Sequence, residues 1–226
     1  MRASCRAMVW LGVWSATVLL PAVSVRCAEV SDHGFYFRGG IGPVLAHQTD
    51  VNEFFGPVSG VKVKYDPGLR VNVAGGYQFC GYFSAELESG LIHNSIKSIT
   101  GSPDTDASLA NVPLLVNAVF QFPLESRFVP YFGFGVGGST SVLDVDHATL
   151  PGKPTLHGTD SDAVWAVQGF TGFRYEFADN MGVGFGYKFL ATGEPKWDVL
   201  SVGPSGKIGF ENARTHAFMA EFTLKF

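Results

Sequence analysis

From residue 34 onward, the sequence alternates apolar residues with small or polar residues at a period of two. This alternation predicts strands that have one apolar face. It appears in eight segments, which cover residues 34–46, 68–79, 82–93, 109–122, 128–139, 163–177, 181–190 and 215–226. Because strands of soluble proteins usually have about five or six residues, these segments predict long strands.

The connections between the segments alternate between long and short. The long ones cover residues 47–67, 94–108, 140–162 and 191–214, and the short ones cover 80–81, 123–127 and 178–180. Successive connections of an up-and-down barrel lie at opposite ends, with short turns at the periplasmic end and long loops outside. The pattern therefore predicts an all-β fold, an eight-stranded antiparallel up-and-down β-barrel.

The size of the side chains indicates which strand face points outward. One face of each segment carries mainly Phe, Tyr, Leu and Val, whereas the other is mostly small or polar. An eight-stranded interior is just wide enough for side chains to fill, so the bulky face does not fit inside. Aromatic residues also gather near the short connections, as in the girdle of a membrane barrel. We therefore expect a transmembrane barrel, and a soluble ligand-binding barrel is the alternative.

The composition supports this fold and argues against several other classes. The chain has 28 Gly and 20 Phe among 226 residues, and only 16% of its residues are charged. Gly weakens helices, while aromatic residues favour strands. The net charge of −4 and the lack of basic runs argue against a nucleic-acid partner.

The N-terminus has the pattern of an export signal. Arg2 and Arg6 precede an uncharged apolar run, and Ala22-Val23-Ser24 fits a small-x-small cleavage site. An uncleaved membrane anchor is the alternative. The expected division is a signal peptide over 1–24 with cleavage as late as 28 as a rival, a periplasmic segment over 25–33, and the barrel over 34–226.

Cysteines raise the question of a disulfide at the periplasmic end. Cys5 is lost with the signal peptide, Cys80 remains, and Cys27 remains only if cleavage precedes it. Two cysteines in an oxidising compartment can pair. A bond between Cys27 and Cys80 and a lone Cys80 thiol therefore both stay open.

The face opposite the bulky one carries a set of charged residues. They are Arg38, Arg70, Glu86, Glu88, Arg174, Glu176, Lys188, Glu221 and Lys225. Buried charges need partners, so we expect a salt-bridged network inside the barrel, with a narrow polar channel as the alternative. The spacing of Glu86 and Glu88 also suits a catalytic pair, but facing Arg residues would keep both carboxylates ionised.

Other patterns give weak indications of chemistry. The loop 140–162 contains Asp144, Asp146, His147, His157, Asp160 and Asp162, but without a recognised metal-binding spacing. The glycines at 133, 135 and 137 imitate a nucleotide loop, but no helix follows them. We therefore expect no metal and no cofactor.

Two motifs resemble a known family. The final strand, with Phe218, Phe222, Leu224 and Phe226 in register, resembles the assembly signal of bacterial outer-membrane β-barrels. The run 130–137, Pro-Tyr-Phe-Gly-Phe-Gly-Val-Gly, is similar to a strand of the eight-stranded opacity/OmpA-like surface-antigen barrels. The resemblance covers residues 34–226 and implies a location in the bacterial outer membrane, with membrane lipid and the barrel-assembly machinery as partners.

The resemblance implies a monomeric, non-enzymatic surface protein that serves envelope structure or recognition by its external loops. The loop aromatics Phe54, Phe55, Trp197 and Phe210 could dock a partner, or else pack at the membrane interface. A narrow channel for small or apolar solutes is one alternative. A lipid-modifying enzyme is another, because His93-Asn94-Ser95 resembles the His-x-Ser arrangement of a lipid-A deacylase.

Overall fold

The computed structural model describes residues 33–54, 56–102, 105–148, 156–199 and 206–226. These residues form the strands β1 Gly34–Ala46, β2 Thr49–Phe54, β3 Lys62–Tyr65, β4 Gly68–Cys80, β5 Phe83–Ile99, β6 Thr105–Gln121, β7 Phe128–Ala148, β8 Leu156–Ala178, β9 Met181–Thr192, β10 Lys196–Val199, β11 Gly206–Phe210 and β12 Arg214–Lys225. Within the described part of the chain, no helix is long and apolar enough to cross a membrane.

Eight of the described strands close into a ring. Neighbouring strands pair in the order β1, β4, β5, β6, β7, β8, β9 and β12. The ring closes where β12 pairs antiparallel with β1, with Tyr36 opposite Lys225. The predicted eight-stranded antiparallel barrel is confirmed, and its closure satisfies backbone groups that lipid cannot satisfy.

The bulky face lies outside, as predicted. On β1, the side chains of Phe35, Phe37 and Ile41 are exposed, whereas Tyr36 and Arg38 are buried. The other barrel strands follow the same rule, with exposed outward side chains that include Val71, Val73, Leu87, Leu114, Val116, Phe134, Val136, Val167, Phe173, Val183, Phe185, Phe218 and Phe222. Lipid is the solvent that such an outer surface requires.

Aromatic rings form a belt around the end of the barrel with short turns. The ring of Tyr77 lies with its centroid 4.9 Å from that of Phe35 and 5.1 Å from that of Phe79. The belt continues from Phe79 to Phe83 at 5.7 Å and from Phe83 to Phe120 at 5.4 Å. These contacts join the four neighbouring strands β1, β4, β5 and β6. They form an interfacial girdle of the expected kind.

At the opposite end, the strands run beyond the predicted segments. β5 extends to Ile99, β7 extends to Ala148 and β8 begins at Leu156, so two connections predicted as long loops are largely strand. The other two long connections contain β2 and β3, and β10 and β11. The expectation of four long loops was therefore wrong at this end of the barrel. The strands continue there because apolar and polar residues still alternate, but with the apolar residues now on the inward face.

Strand β7 shows this reversal. Its outward side chains change from apolar Val136 to the exposed Asp144, while its inward positions change from Gly135 to the buried Leu143 and Val145. The lower barrel is therefore apolar outside, and the upper part is apolar inside like a soluble protein. We call this upper part the head, and it comprises the described residues within 47–66, 94–110, 140–148, 156–164 and 192–214.

A small sheet extends from the barrel across the head. β3 pairs with the upper end of β5, β2 pairs with β3, β11 pairs with β2, and β10 pairs with β11. The ladders are short, since β2 and β3 share only the register pairs Thr49–Val63 and Asp50–Lys62. The four short strands of this sheet are thus held in place mainly by the apolar core of the head, whereas the upper ends of β6, β7 and β8 continue the long ladders of the barrel.

Candidate functional site

Glu88 is the most heavily contacted carboxylate in the lumen, and its side chain is fully buried. Its oxygens lie 3.0 Å from Arg70 Nη2 and 2.9 Å from Lys188 Nζ. The amide groups of Asn117 and Gln168 donate hydrogen bonds to Oε2 at 2.8 and 3.1 Å. Two cations and two amides therefore stabilise a carboxylate that has no contact with solvent.

Arg38 is the centre of a neighbouring set of contacts. Its Nη2 lies 2.5 Å from Glu86 Oε2, and its Nη1 lies 3.6 Å from Glu221 Oε2. The hydroxyl of Tyr36 donates to Glu86 at 2.7 Å, and the hydroxyl of Tyr131 donates to Glu221 at 2.5 Å. Each carboxylate thus has both a cation and a phenol as partners.

Lys188 joins these two sets, because its Nζ also lies 3.6 Å from Glu221 Oε1. The structure therefore brings together six of the nine charged residues expected inside the barrel, namely Arg38, Arg70, Glu86, Glu88, Lys188 and Glu221. We call these six residues the central cluster. Three cations face three carboxylates, so their mutual attraction offsets the cost of burial.

The remaining three charged residues form a second group at the periplasmic mouth. Glu176 Oε1 lies 3.1 Å from Arg174 Nη2 and 2.7 Å from Lys225 Nζ. Arg174 also donates to Gln121 Oε1 at 3.1 Å. Glu176 and Lys225 line a vestibule of about 500 Å³ that is open to the periplasmic side.

Inward aromatic rings stabilise the cations, and this contribution was not apparent from the charge pattern. The guanidinium carbon of Arg38 lies 5.4 Å from the ring centroid of Tyr131 and 5.3 Å from that of Phe170. Glycine makes room for these rings, because a Cβ at Gly133 would collide with the ring of Phe170. The alternation of strand faces assigns all these residues to the interior, so their inward position could have been found from the sequence, although their contacts could not.

An apolar layer lies beyond the central cluster, toward the head. It is formed by the buried side chains of Val44, Ile92, Leu115, Ala166, Leu190, Ala217 and Met219. Along β8, the inward residues therefore change from Arg174 through Gln168 of the charged centre to Ala166 of this layer. Charged and apolar side chains fill the lumen in succession.

The head has its own apolar core, into which three of the loop aromatics point. Phe54, Trp197 and Phe210 are at most 3% exposed. The indole of Trp197 donates to the carbonyl of Ser141 at 2.9 Å. The expectations that these rings dock a partner or pack at the membrane interface were wrong, because they are needed to fill the space between the strands. Phe55 lies outside the described residues.

Charged groups of the head lie outside its core. Lys62 Nζ lies 3.6 Å from Asp50 Oδ1, and Lys97 Nζ lies 3.6 Å from Asp66 Oδ1, with all four side chains about half exposed or more. Burial raises the pKa of Tyr65, at the end of β3, to about 12. Its phenol is therefore neutral at physiological pH.

The other predicted sites are placed as follows. Cys80 is buried at the end of β4, beside the short turn, and Cys27 lies outside the described residues. On β12, Phe218 and Phe222 point outward and Leu224 is partly buried. Phe226 follows β12 and is 80% exposed at the periplasmic end.

Candidate catalytic and metal-binding residues show no assembled centre within the described ranges. His93 and Ser95 both point outward on β5, and no hydrogen bond joins them. No group of three or more His, Cys, Asp or Glu side chains is arranged to hold a metal in the described part of the chain.

The architecture is shared with solved outer membrane proteins. The outer membrane protein OprG from Pseudomonas aeruginosa is 18% identical, with a TM-score of 0.62, and covers 86% of this chain and 96% of that one. Neisserial surface protein A is also 18% identical, with a TM-score of 0.50, and the match covers 85% of this chain and 97% of that one. The Escherichia coli outer membrane protease OmpT is 9% identical, with a TM-score of 0.56, and the match covers 87% of this chain and 98% of that one.

These neighbours include a surface protein and a protease, which differ in function. Because their sequence identity to this chain is low, they show the fold alone. No curated protein matches the sequence. The sequence matches the family described as the outer membrane protein beta-barrel domain over residues 15–226, which is most of its length. This chain belongs to the outer membrane protein β-barrel domain family and resides in the bacterial outer membrane.

Proposed function

We propose that this outer membrane protein is a closed, non-enzymatic barrel that presents a folded head for recognition of an external partner. The central cluster carries the proposal, because its six charged side chains are almost fully buried and paired with one another. The apolar layer beyond it adds a second barrier to ions. A head with an ordered core is a rigid platform for recognition, and the long-loop end of such barrels lies outside the cell.

Planar-bilayer recording tests the closed lumen. The purified protein, refolded in detergent and added to the bilayer, should give no unitary conductance steps. Insertion is verified by protease digestion of the recovered membrane. Reproducible unitary steps from inserted protein would overturn the closed barrel.

A narrow channel is the second candidate function. It is favoured by the vestibule of about 500 Å³. It is also favoured by buried polar atoms without a hydrogen-bond partner, which include Nε and Nη1 of Arg70 and both side-chain polar atoms of Asn72. Buried polar atoms of this kind are commonly hydrated, and a continuous line of water would conduct. The same recording therefore decides between the two candidates.

The non-enzymatic part of the proposal has its own test. Lipid A from cells that overexpress the protein should have the same mass spectrum as lipid A from cells that express the His93→Ala variant. A change of acyl chains that requires His93 would establish a lipid-modifying enzyme instead.

We also propose that β12 is recognised by the barrel-assembly machinery. Removal of Phe226 should lower the amount of protein in the outer membrane several-fold, while the purified variant refolds in detergent. Phe128→Ala is the matched control, because Phe128 is likewise exposed near the periplasmic end. Equal losses for both variants would contradict a specific role of the last residue.

Export and disulfide formation complete the proposal. We propose that residues 1–24 are removed as a signal peptide and that Cys27 then pairs with Cys80. N-terminal sequencing of the mature protein identifies the cleavage site. Thiol labelling of the denatured, unreduced protein should label neither cysteine, and labelling of both would exclude the bond.

A further inference from the structure

Three basic side chains gather on the outer face of the barrel, where β1 and β12 pass from the lipid-facing region to the head. Leu45 of β1 and His216 of β12 lie opposite each other in register. Further toward the head, the backbone amide of His47 donates to the carbonyl of Arg214 at 2.8 Å. Because side chains alternate along a strand, the three basic residues share the outward face of the exposed Leu45. They are therefore direct neighbours.

The contacts of these side chains leave nitrogen donors available. The ring centroids of His47 and His216 lie 4.9 Å apart. The hydroxyl oxygen of Tyr187 lies 2.5 Å from Nδ1 of His216, which fixes the position of this ring. When the hydroxyl is the donor, the proton of the imidazole is carried by Nε2. Arg214 is exposed, and its guanidinium forms no ion pair or hydrogen bond with the residues that the structure describes.

The height of this group on the barrel places it beside lipid headgroups. Twelve positions along the chain separate His47 from Phe35 of the periplasmic girdle. At about 3.3 Å per residue and a strand tilt of about 40°, they rise about 30 Å along the barrel axis. The apolar band of such barrels is about 25 Å tall, so His47 lies just above it. The exposed indole of Trp165, at the same end of the barrel, is typical of this interface.

Two carboxylates lie near the group, on the side of the head. Asp50 and Glu211 line a hollow of about 290 Å³ together with His47 and Arg214. The amide of Glu211 donates to the carbonyl of Asp50 at 2.9 Å, so these two residues lie side by side beyond the basic group. A dissolved anion that approaches from the head meets the carboxylates first, whereas an anion on a membrane lipid meets the basic side chains first. The arrangement therefore favours a lipid.

We propose that Arg214, His47 and His216 bind the phosphate monoester of a lipid in the outer leaflet. The guanidinium would form paired hydrogen bonds with two phosphate oxygens, and the imidazole N–H groups would donate to the others. The acyl chains would lie below, along the exposed side chains of Leu45 and Phe218. This lipid site is additional to the proposed recognition role of the head and does not depend on it.

Native mass spectrometry of the refolded protein in a non-ionic detergent tests the chemistry of the ligand. The probe is phosphatidic acid, which carries a phosphate monoester, and phosphatidylcholine with the same acyl chains is the control. EDTA is present, so that divalent cations do not bridge lipid and protein. We expect phosphatidic acid to bind at least tenfold more tightly, because the phosphate of phosphatidylcholine carries less charge and is covered by choline. Equal affinities would overturn phosphate recognition.

Variants of the protein locate the site. Arg214→Gln should weaken the binding of phosphatidic acid at least fivefold. Arg127→Gln is the matched control, because Arg127 is likewise exposed but lies at the periplasmic end, and it should leave the affinity within twofold. The double variant His47→Gln and His216→Gln should also bind more weakly than the parent. Equal losses for the two arginine variants, or no loss for the double variant, would overturn this location.

Competition with inorganic phosphate distinguishes a lipid from a dissolved ion. A hundredfold excess of inorganic phosphate over phosphatidic acid should leave most of the lipid bound, because the acyl chains contribute to binding. Displacement of most of the lipid would show that the site takes dissolved phosphate, and it would overturn the lipid assignment. The closed lumen is tested by conductance, so failure of the lipid site leaves the proposed function untouched.

Discussion

The central cluster and the core of the head lie inside the same ring of strands, but their chemistry is opposite. The inward residues of β5 change from Glu86 and Glu88 in the lumen to Ile92 and Ile96 toward and in the head. The outward residues change in the reverse sense, from the exposed Leu87 to the exposed Lys97. The strand continues without a break, and only the polarity of its two faces is exchanged.

This difference shows that the medium around each region, lipid or water, determines which kind of side chain is buried in its interior. Lipid around the lower barrel accepts only apolar side chains on the outer face, so charged groups are confined to the lumen and must pair there. Water around the head accepts charge outside, so apolar side chains collect inside, as in any soluble protein. The two regions should therefore respond differently to substitution.

The largest effect is expected from Glu88→Gln. The change leaves Arg70 and Lys188 buried without their shared carboxylate, and loss of one partner of a buried pair costs about 3–5 kcal/mol. The free energy of unfolding is measured by urea titration of the refolded protein. Asp66→Asn is the control, because it removes an exposed ion pair worth about 0–1 kcal/mol. Similar losses for both variants would refute the difference between cluster and surface.

Trp197→Ala should disturb the head and leave the barrel intact. Truncation of a buried tryptophan costs about 3–5 kcal/mol, and the loss should fall on the short ladders around it. Hydrogen exchange should accelerate in β2, β10 and β11 and stay unchanged in β1, β9 and β12. Trp165→Ala, at an exposed position, serves as the control. Uniform acceleration around the ring would show that the head and the lumen unfold as one unit.

A smaller effect is expected from Gly133→Ala. The new Cβ would collide with the ring of Phe170 and displace it from Arg38, and overpacking of this kind costs about 1–3 kcal/mol. Gly169→Ala is the matched control, since a Cβ there meets no atom within 4 Å. The urea midpoint should fall for the first variant alone. An unchanged midpoint for Gly133→Ala would mean that the lumen has room to relax.

The smallest effect is expected from Lys62→Ala in the head. This side chain forms an exposed pair with Asp50, so its loss should cost about 0–1 kcal/mol at low salt. The effect should vanish in molar salt, because exposed charges are screened, whereas the effect of Glu88→Gln should persist. Urea titrations at two salt concentrations make the comparison. A salt-independent loss at Lys62 would show that its pair is not governed by solvent screening.

The sequence by itself determined the ring of strands and the orientation of its faces. Alternation is a local property of the chain, and a period of two assigns every residue of a strand to one side. The assignment of Arg38, Glu88 and Lys188 to the interior follows from it, because bulk on the opposite face does not fit a narrow barrel. The terminal Phe226 and the Pro-Tyr-Phe-Gly motif also indicated the family that the comparison confirmed.

The tertiary structure alone decided which residues meet. Glu88 contacts Lys188 from a strand 100 positions away, and such pairs depend on register and closure, which no local pattern reveals. It also decided that Trp197 and Phe210 fill a core rather than face a partner, because short strands in the long connections fold across the mouth.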